Sequence, residues 1–350
     1  MNPKNDQLLK QKTPWLNDFN PIWVASNIAL RRNVDKFNFP AKLPVDRRKQ
    51  IISLISKELV LHPDLKNPYL LKAEEMGPLE KEFLVEHFLS SESFQQAHTG
   101  EAFVVDNTGE FLASFNMKDH LHIQIIDIKG DIENSCNRLV QLEEYLSGKI
   151  SFSYSSDFGF LTADPSECGT ALHVTTFLQL TALFQMNELT EQLKKYEDDA
   201  IVTSYLLGSD HPVGDLLIIS NRYTLGVNEE SILQSCRSYT TKLMSAESEA
   251  RQRAKDNAEI KDKVSRAYAI LVHSYQIEAQ EALNAISLLK LGSELGWISN
   301  LTVPQLNELF FNVRRSHLLR LFDSKISNEE LPHKRAEYIH GILKEAKLLI

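Results

Sequence analysis

The sequence has little of what marks a membrane, secreted or nucleic-acid-binding protein. Its 350 residues contain no apolar run long enough to span a bilayer, and the polar N-terminus lacks the apolar core of a secretory signal. The net charge is −9, whereas general nucleic-acid binding needs a basic surface. Cys136, Cys168 and Cys236 are odd in number and far apart, so they fit neither a disulfide framework nor a zinc site. We therefore expect a cytoplasmic protein that binds no membrane, nucleic acid or metal of its own.

The hydrophobic pattern predicts an α+β fold, with helices flanking a mostly antiparallel sheet and an all-α region after it. The segments with a helical period are 46–61, 79–89 and 132–146. The strand-like segments are 23–30, 101–105, 111–115, 120–128, 158–163, 200–207 and 215–220. A mobile loop is predicted at 208–214, and the pattern is helical from Asn228 almost to the end. At this length we expect two domains, an α+β domain at 1–255 and a helical domain at 256–350.

The stretch from Gly159 to Gln185 draws attention because it predicts a strand, a polar turn and then a helix. The strand ends at Ala163, and the helix begins near Leu172. A turn of this kind can hold an anion on the free N–H groups of the following helix. The alternative is an ordinary connection between a strand and a helix.

This stretch reads Gly-Phe-Leu-Thr-Ala-Asp-Pro-Ser-Glu-Cys-Gly-Thr-Ala at 159–171, and it resembles the signature of the ATP:guanidino phosphotransferases. The bacterial protein-arginine kinase branch of that family is the most similar. Asp-His-Leu-His-Ile-Gln at 119–124 and Ile-Ser-Asn at 219–221 resemble further family blocks in the same order. The resemblance implies the guanidino kinase catalytic-domain fold. Asp164 stands where the family has its reactive cysteine.

The resemblance also implies which positions contact the nucleotide, and most of them are changed. The five positions at which the family has arginines that hold phosphate fall at Asn27, Ala29, His122, His173 and Thr203. The family's nucleotide-contacting histidine is kept at His87, although a packing role is the alternative. The family's acidic pair, which includes the general base, falls at Met117 and Lys118, beside a retained Asp119.

These changes predict a loss of catalysis. ATP with Mg²⁺ is the cofactor that the resemblance implies. The loss of one hydrogen-bond donor to the transition state raises the activation free energy by on the order of 3 kcal/mol, and the loss of a general base slows the reaction roughly 10²–10⁴-fold. The first hypothesis is a regulatory or scaffolding pseudokinase in a stress-response pathway. The second is an active, divergent kinase for protein arginine residues that recruits cations such as Arg31, Arg32, Lys118 or Arg222. The third is a module that binds arginine side chains without ATP through Asp164 and Glu167.

Several single residues leave two interpretations open. Asp164 and Asp119 are the candidate catalytic residues, but Asp164 also suits a turn cap and Asp119 a structural role. His122 and His173 either contact an anion at acidic pH or fill vacated space. A solvated basic face or a partner contact is expected for Arg314, Arg315, His317 and Arg320. The family's phosphoarginine-reading motif falls at 331–336, where only Arg335 and Ala336 remain, so docking of phosphorylated protein there is not expected.

The resemblance further implies a homodimer, a small zinc-containing activator protein and protein arginine side chains as partners.

Overall fold

A computed structural model describes residues 7–16, 20–90, 94–206, 212–322 and 326–350. Its centre is an eight-stranded antiparallel sheet with the strand order β2-β3-β4-β5-β1-β8-β10-β9. The strands are β1 (Trp23–Arg32), β2 (Tyr69–Lys72), β3 (Ala102–Val105), β4 (Phe111–Phe115), β5 (Leu121–Asp127), β6 (Tyr154–Ser155), β7 (Gly159–Phe160), β8 (Leu172–Gln179), β9 (Ile201–Tyr205) and β10 (Leu216–Asn221). Of these, β6 and β7 form a separate hairpin. The predicted α+β class with a mostly antiparallel sheet is confirmed.

Helices cover both faces of the sheet. The helices of the first 254 residues are α1 (Val45–Val60), α2 (Pro78–His87), α3 (Ile132–Ser147), α4 (Thr181–Gln185), α5 (Leu189–Lys195) and α6 (Glu229–Ala254). The apolar stripes of α1, α3 and α6 pack on one face of the sheet, in a single core with Ile28 and Leu30 of β1. Side-chain caps begin two of these helices, since Asp131 accepts from the backbone of Asn134 and Asn228 from that of Ser231.

The remaining chain is helical, as predicted. Its elements are α7 (Ala258–His273), α8 (Ala279–Glu294), β11 (Ile298–Ser299), α9 (Val303–Asn312), α10 (Arg315–Leu319), α11 (Leu331–Leu343) and β12 (Lys347–Leu348). Apolar residues of these helices share a core with the sheet and with α2, for example Phe310 with Leu216 and Phe83. A boundary between domains at 255/256 stays a prediction. Of the loop predicted at 208–214, residues 208–211 lie outside the described residues.

The helix predicted from Leu172 is wrong, because 172–179 is the strand β8. Its side chains alternate in burial over the first half, and three consecutive β-branched residues, Val174, Thr175 and Thr176, favour an extended backbone. The strand predicted at 158–163 shortens to the two residues of β7. The turn after Asp164 therefore leads into a sheet, and the expected helix N-terminus for an anion does not form there.

No helix within the described ranges is both long and apolar enough to cross a membrane.

Candidate functional site

Alternate residues of three neighbouring strands form a polar patch on the sheet face opposite α1, α3 and α6. Arg31 on β1 lies opposite His122 on β5, and Ala29 lies between Gln124 on β5 and His173 on β8. We call this patch the polar sheet face and define it as Asn27, Ala29, Arg31, His122, Gln124 and His173. Because side chains alternate between faces, it contains four of the five positions that correspond to phosphate-binding arginines.

Thr203 is the fifth such position, and the structure does not bring it to this face. It lies on β9 directly opposite Ile219, whose side chain is fully buried in the core that α6 covers. Directly paired residues project to the same face of a sheet, so Thr203 belongs to the α6 side. The structure therefore places Thr203 away from the polar sheet face, and a nucleotide contact at Thr203 stays a prediction.

A cluster of charges lies beside the polar sheet face. Lys118 Nζ lies 3.3 Å from Asp164 Oδ2 and 3.0 Å from Glu167 Oε2. Arg31 lies 3.6 Å from Glu167 Oε2 through its Nε and 3.5 Å from Asp119 Oδ2 through its Nη1. These five residues are called the cleft charge cluster. Its two cations are both engaged by carboxylates, and three carboxylates against two cations leave a net charge of −1.

Asp119 is the buried residue that connects the cleft charge cluster to the neighbouring backbone. Its side chain is fully buried, and its Oδ1 accepts hydrogen bonds from Asn33 Nδ2 and from the backbone N–H of Ala163, each at 2.7 Å. The same carboxylate thus connects the end of β1, the turn at 163 and the Arg31 guanidinium. These contacts are structural, and a catalytic role for Asp119 stays a prediction.

Asp164 caps the turn that follows it. Its Oδ1 accepts from the backbone N–H of Ser166 at 3.1 Å and from its hydroxyl at 2.6 Å. These hydrogen bonds, together with Lys118, lower the pKa of Asp164 to about 2. The carboxylate is therefore charged at neutral pH and already bonded on one oxygen, which agrees with the capping interpretation. A catalytic role for Asp164 likewise stays a prediction.

His173 on the polar sheet face does not supply the positive charge of an arginine. Burial and the nearby Arg31 guanidinium lower the pKa of His173 to about 4. His173 is consequently neutral at pH 7, and a neutral imidazole cannot form the two-pronged contact that a guanidinium makes with phosphate.

Two side-chain amides of the polar sheet face point their N–H groups at one backbone carbonyl, and their own oxygens have no hydrogen-bond partner among the described residues. Asn27 Nδ2 and Gln124 Nε2 both donate to the carbonyl oxygen of Phe88, at 3.1 and 3.4 Å. This shared acceptor fixes the orientation of both amides. Asn27 Oδ1 and Gln124 Oε1 are buried and have no hydrogen-bond partner among the residues described. Phosphate oxygens are themselves acceptors, so these two oxygens do not suit a triphosphate.

The structure places His87 in the core instead of on the polar sheet face. The residue is fully buried at the end of α2, and its Nε2 lies 2.9 Å from the carbonyl oxygen of Gly109. This favours the packing interpretation for His87. A nucleotide contact stays a prediction that would need the core to open.

Of the cations proposed as substitutes, only Arg31 and Lys118 lie in the cleft. Arg32 projects to the other face, where it pairs with Glu143 at 3.2 Å and covers the ring of Phe160. Arg222 donates to the backbone carbonyls of Asp199 and Ile201. Sequence reasoning missed Gln124 as a member of the site. The alternation with His122 two residues earlier was the signal that pointed to it.

Taken together, the residues of the cleft do not fit Mg²⁺-ATP. Asn27 and Gln124 offer acceptor oxygens where phosphate needs donors, the His173 ring is neutral, and Arg31 and Lys118 are paired with carboxylates. In the part of the chain that the structure describes, no group of three or more His, Cys, Asp or Glu side chains is arranged to hold a metal ion.

Comparison with known proteins gives the family. Residues 50–250 match the model of the ATP:guanido phosphotransferase C-terminal catalytic domain, and residues 257–348 match that of the protein-arginine kinase McsB C-terminal domain. A protein-arginine kinase of Chlamydia pneumoniae is 35% identical over 332 residues, which cover 93% of this chain and 92% of the relative. One of Halothermothrix orenii is 29% identical over 95% of this chain and 97% of the relative.

Solved structures share the fold. The duplicated taurocyamine kinase of Schistosoma mansoni, with transition-state analogue components bound, superposes with a TM-score of 0.57 at 22% identity, covering 68% of this chain and 35% of that one. A lombricine kinase superposes with a TM-score of 0.57 at 18% identity, covering 70% and 75%. With the matched blocks, these findings confirm the resemblance: the chain belongs to the ATP:guanido phosphotransferase family of ATP-dependent phosphotransferases, among relatives named protein-arginine kinases.

Proposed function

We propose that this chain is a catalytically impaired member of its family that acts as a regulatory or scaffolding protein. The observation that carries the proposal is the cleft charge cluster, in which Arg31 and Lys118 are paired with Asp119, Asp164 and Glu167. A triphosphate entering this cleft has to break these ion pairs and approach a net negative charge. Each missing transition-state donor costs on the order of 3 kcal/mol, and the losses are not additive.

The test is a calorimetric titration of the full chain with Mg-ADP and Mg-ATP. We expect no saturable binding in the micromolar range. The Glu167→Gln variant removes the carboxylate that both cations share, so we expect it to bind nucleotide more tightly than the wild-type chain. Micromolar binding by the wild-type chain would contradict the proposal.

Catalysis is tested separately with radiolabelled ATP, free arginine and an arginine-rich protein. We expect no transfer above the rate seen without the chain. The competing function, a divergent kinase for protein arginine residues, is favoured by one observation, the presence of Arg31 and Lys118 in the cleft. Transfer that disappears in Lys118→Met and persists in the surface variant Lys57→Met would support that function and remove the first.

A second candidate function is the binding of arginine side chains without ATP. It is favoured by the net charge of −1, and by the Arg31 guanidinium, which lies 3.5 Å from Asp119 Oδ2 and 3.6 Å from Glu167 Oε2 in the same cluster. Binding of an arginine-rich peptide is measured by fluorescence anisotropy. Here Glu167→Gln is expected to weaken binding, the opposite of its expected effect on nucleotide, and unchanged binding would remove this candidate.

The partners and the compartment belong to the same proposal. The resemblance supports a homodimer, a zinc-containing activator protein as partner, and a stress-response role in the cytoplasm. Sedimentation velocity over a range of concentrations tests the dimer, and a single monomeric species at tens of micromolar would contradict it.

A further inference from the structure

Two histidines from distant parts of the sequence stack inside the protein where α2 meets the C-terminal helices. His87 is the last residue of α2, and His317 lies in α10. Their ring centroids are 5.7 Å apart with an interplanar angle of 20°, and both side chains are fully buried. The expectation that His317 and Arg314 lie on a solvated basic face is therefore wrong, because both are buried in this contact between helices.

Aromatic rings enclose the pair. Trp15 lies edge-on to His87 at 4.6 Å and to His317 at 5.0 Å, and it stacks on Phe311 of α9 at 4.0 Å. Phe83 of α2 lies 5.0 Å from the ring of His87 and 4.7 Å from that of His317. The pair thus joins α2, α9, α10 and the N-terminal segment in one apolar enclosure.

The enclosure leaves most of the imidazole nitrogens without partners. His87 Nε2 bonds to the carbonyl of Gly109, but His87 Nδ1 and both nitrogens of His317 have no hydrogen-bond partner in the described ranges. A buried polar atom without a partner destabilises the packed arrangement. A shared metal ion does not explain the arrangement, because imidazole lone pairs lie in the ring plane and those of nearly parallel stacked rings do not converge.

The charges around the pair oppose its protonation. Arg314 precedes α10 and Arg320 follows it, and their guanidinium groups are the cations that face the imidazoles. The nearest carboxylates on α2 are already engaged: Glu86 accepts from the backbone of Ser316 and His317, and Glu82 pairs with Arg315. From the N-terminal segment the uncharged ring of Trp15 touches both imidazoles, and from α9 the ring of Phe311 stacks on Trp15. On α9, Glu308 interacts with Tyr338 instead.

We propose that the stacked His87–His317 pair makes the contact between α2 and the C-terminal helices sensitive to acid, so that protonation of either imidazole separates α10 from α2. A proton placed here introduces a charge into a fully buried enclosure, where the nearest α2 carboxylates, Glu86 and Glu82, are already engaged and two guanidinium groups lie close by. Separation exposes the imidazoles to water and removes this penalty.

The direction of the effect follows from the pKa values. Burial, and next the two arginines, lower the pKa of His87 to about 3, and burial and Arg314 lower that of His317 well below 6.5. A lowered pKa means that the contact is stable above about pH 6.5 and weakens as the pH falls below it. Between pH 7 and pH 5, one such histidine raises the equilibrium constant for separation about 25-fold.

The first test is amide hydrogen exchange on the wild-type full chain at pH 7 and pH 5, corrected for the intrinsic exchange rate. We expect the amides of α2 and α10 to lose about 25-fold in protection or more, while β1, β5 and β8 keep theirs. A loss of protection spread evenly over the chain, or none in α2 and α10, would overturn the proposal.

The second test uses variants. His317→Phe fills the enclosure with a ring that cannot be protonated, and His98→Phe makes the same change at a side chain that is 72% exposed. We expect His317→Phe to reduce the pH-dependent loss of protection, and His98→Phe to retain it. An unchanged pH dependence in His317→Phe would overturn the proposal, and His317→Gln provides a second neutral side chain if the phenylalanine variant does not fold.

Discussion

Replacing Asp119 by alanine tests the structural account of the cleft most directly. Asp119 is the one carboxylate in the cleft charge cluster whose side chain is completely buried, and three groups depend on it: Asn33 Nδ2, the Ala163 backbone N–H and the Arg31 guanidinium. Alanine removes this partner from all three, although Asn33 Nδ2 keeps the Leu161 carbonyl and Arg31 keeps Glu167. If Asp119 holds the cleft together, the substitution should destabilise the whole chain, since the connected elements belong to the central sheet.

The size of the effect can be worked out from these contacts. Each buried donor left without an acceptor costs about 1–3 kcal/mol, and removing one partner of a buried ion pair costs about 3–5 kcal/mol. These losses overlap, because Arg31 keeps Glu167 as a partner at 3.6 Å. We therefore expect Asp119→Ala to lower the free energy of unfolding by about 4 kcal/mol. Asp119→Asn can keep the two hydrogen bonds to Oδ1 but turns an amide N–H donor towards the Arg31 guanidinium in place of Oδ2, so it should still destabilise the chain, by less than alanine does.

The assay is equilibrium unfolding in urea, followed by far-UV circular dichroism. Asp157→Ala, at an exposed carboxylate of the β6–β7 turn, is the control and should change the free energy by about 0.5 kcal/mol or less. A loss below about 1 kcal/mol in Asp119→Ala would show that these contacts do not hold the cleft together, and it would refute the reasoning.

Two further predictions concern stability. Burial raises the pKa of Asp215 to about 6, so the protonated carboxyl adds up to about 3 kcal/mol to the free energy of unfolding. This contribution is fully present below the ordinary pKa of 3.8 and is lost as the pH rises through 6. Asp215→Asn, which suits the positive φ of 52°, should flatten the measured decline in stability between pH 4 and pH 7, and an unchanged decline would contradict the assignment. Gly169→Ala should lower the melting temperature far more than Gly226→Ala, because a Cβ added at Gly169 would lie 2.2 Å from the carbonyl oxygen of Thr224. A Cβ added at Gly226 would lie in open space, and only the strain of a positive φ remains there, about 1–2 kcal/mol. Equal melting temperatures would show that the close approach at Gly169 is relieved by a backbone shift.

Elements with a clear local period were predictable, and those whose environment overrides the period were not. The segment 46–61 has one apolar face and forms α1, and 132–146 forms α3 with Asp131 as its cap. The helical prediction was wrong for 172–179 because β8 is buried on both faces over its second half, where a continuous apolar run looks like a buried helix. Length and the β-branched residues were the signals that favoured the strand.

The candidate site was predictable only in part. The family blocks located Asp119, Asp164 and the four positions on β1, β5 and β8, because those positions depend on local sequence patterns. Thr203 was assigned by its place before a loop, and a shift of one residue along a strand reverses the face to which a side chain points. The pairing with Ile219 places Thr203 on the α6 side of the sheet, a position that no local pattern showed.

By itself, the sequence determined the α+β class and the family, since both depend on blocks of residues that are near one another in the chain. Only the tertiary structure decided that Lys118 and Arg31 are engaged by carboxylates of the turn at 164–167, and that His87 and His317 stack although 229 intervening residues separate them. Such contacts depend on strand register and helix packing. Both are set by how the whole core is buried, which no local period encodes.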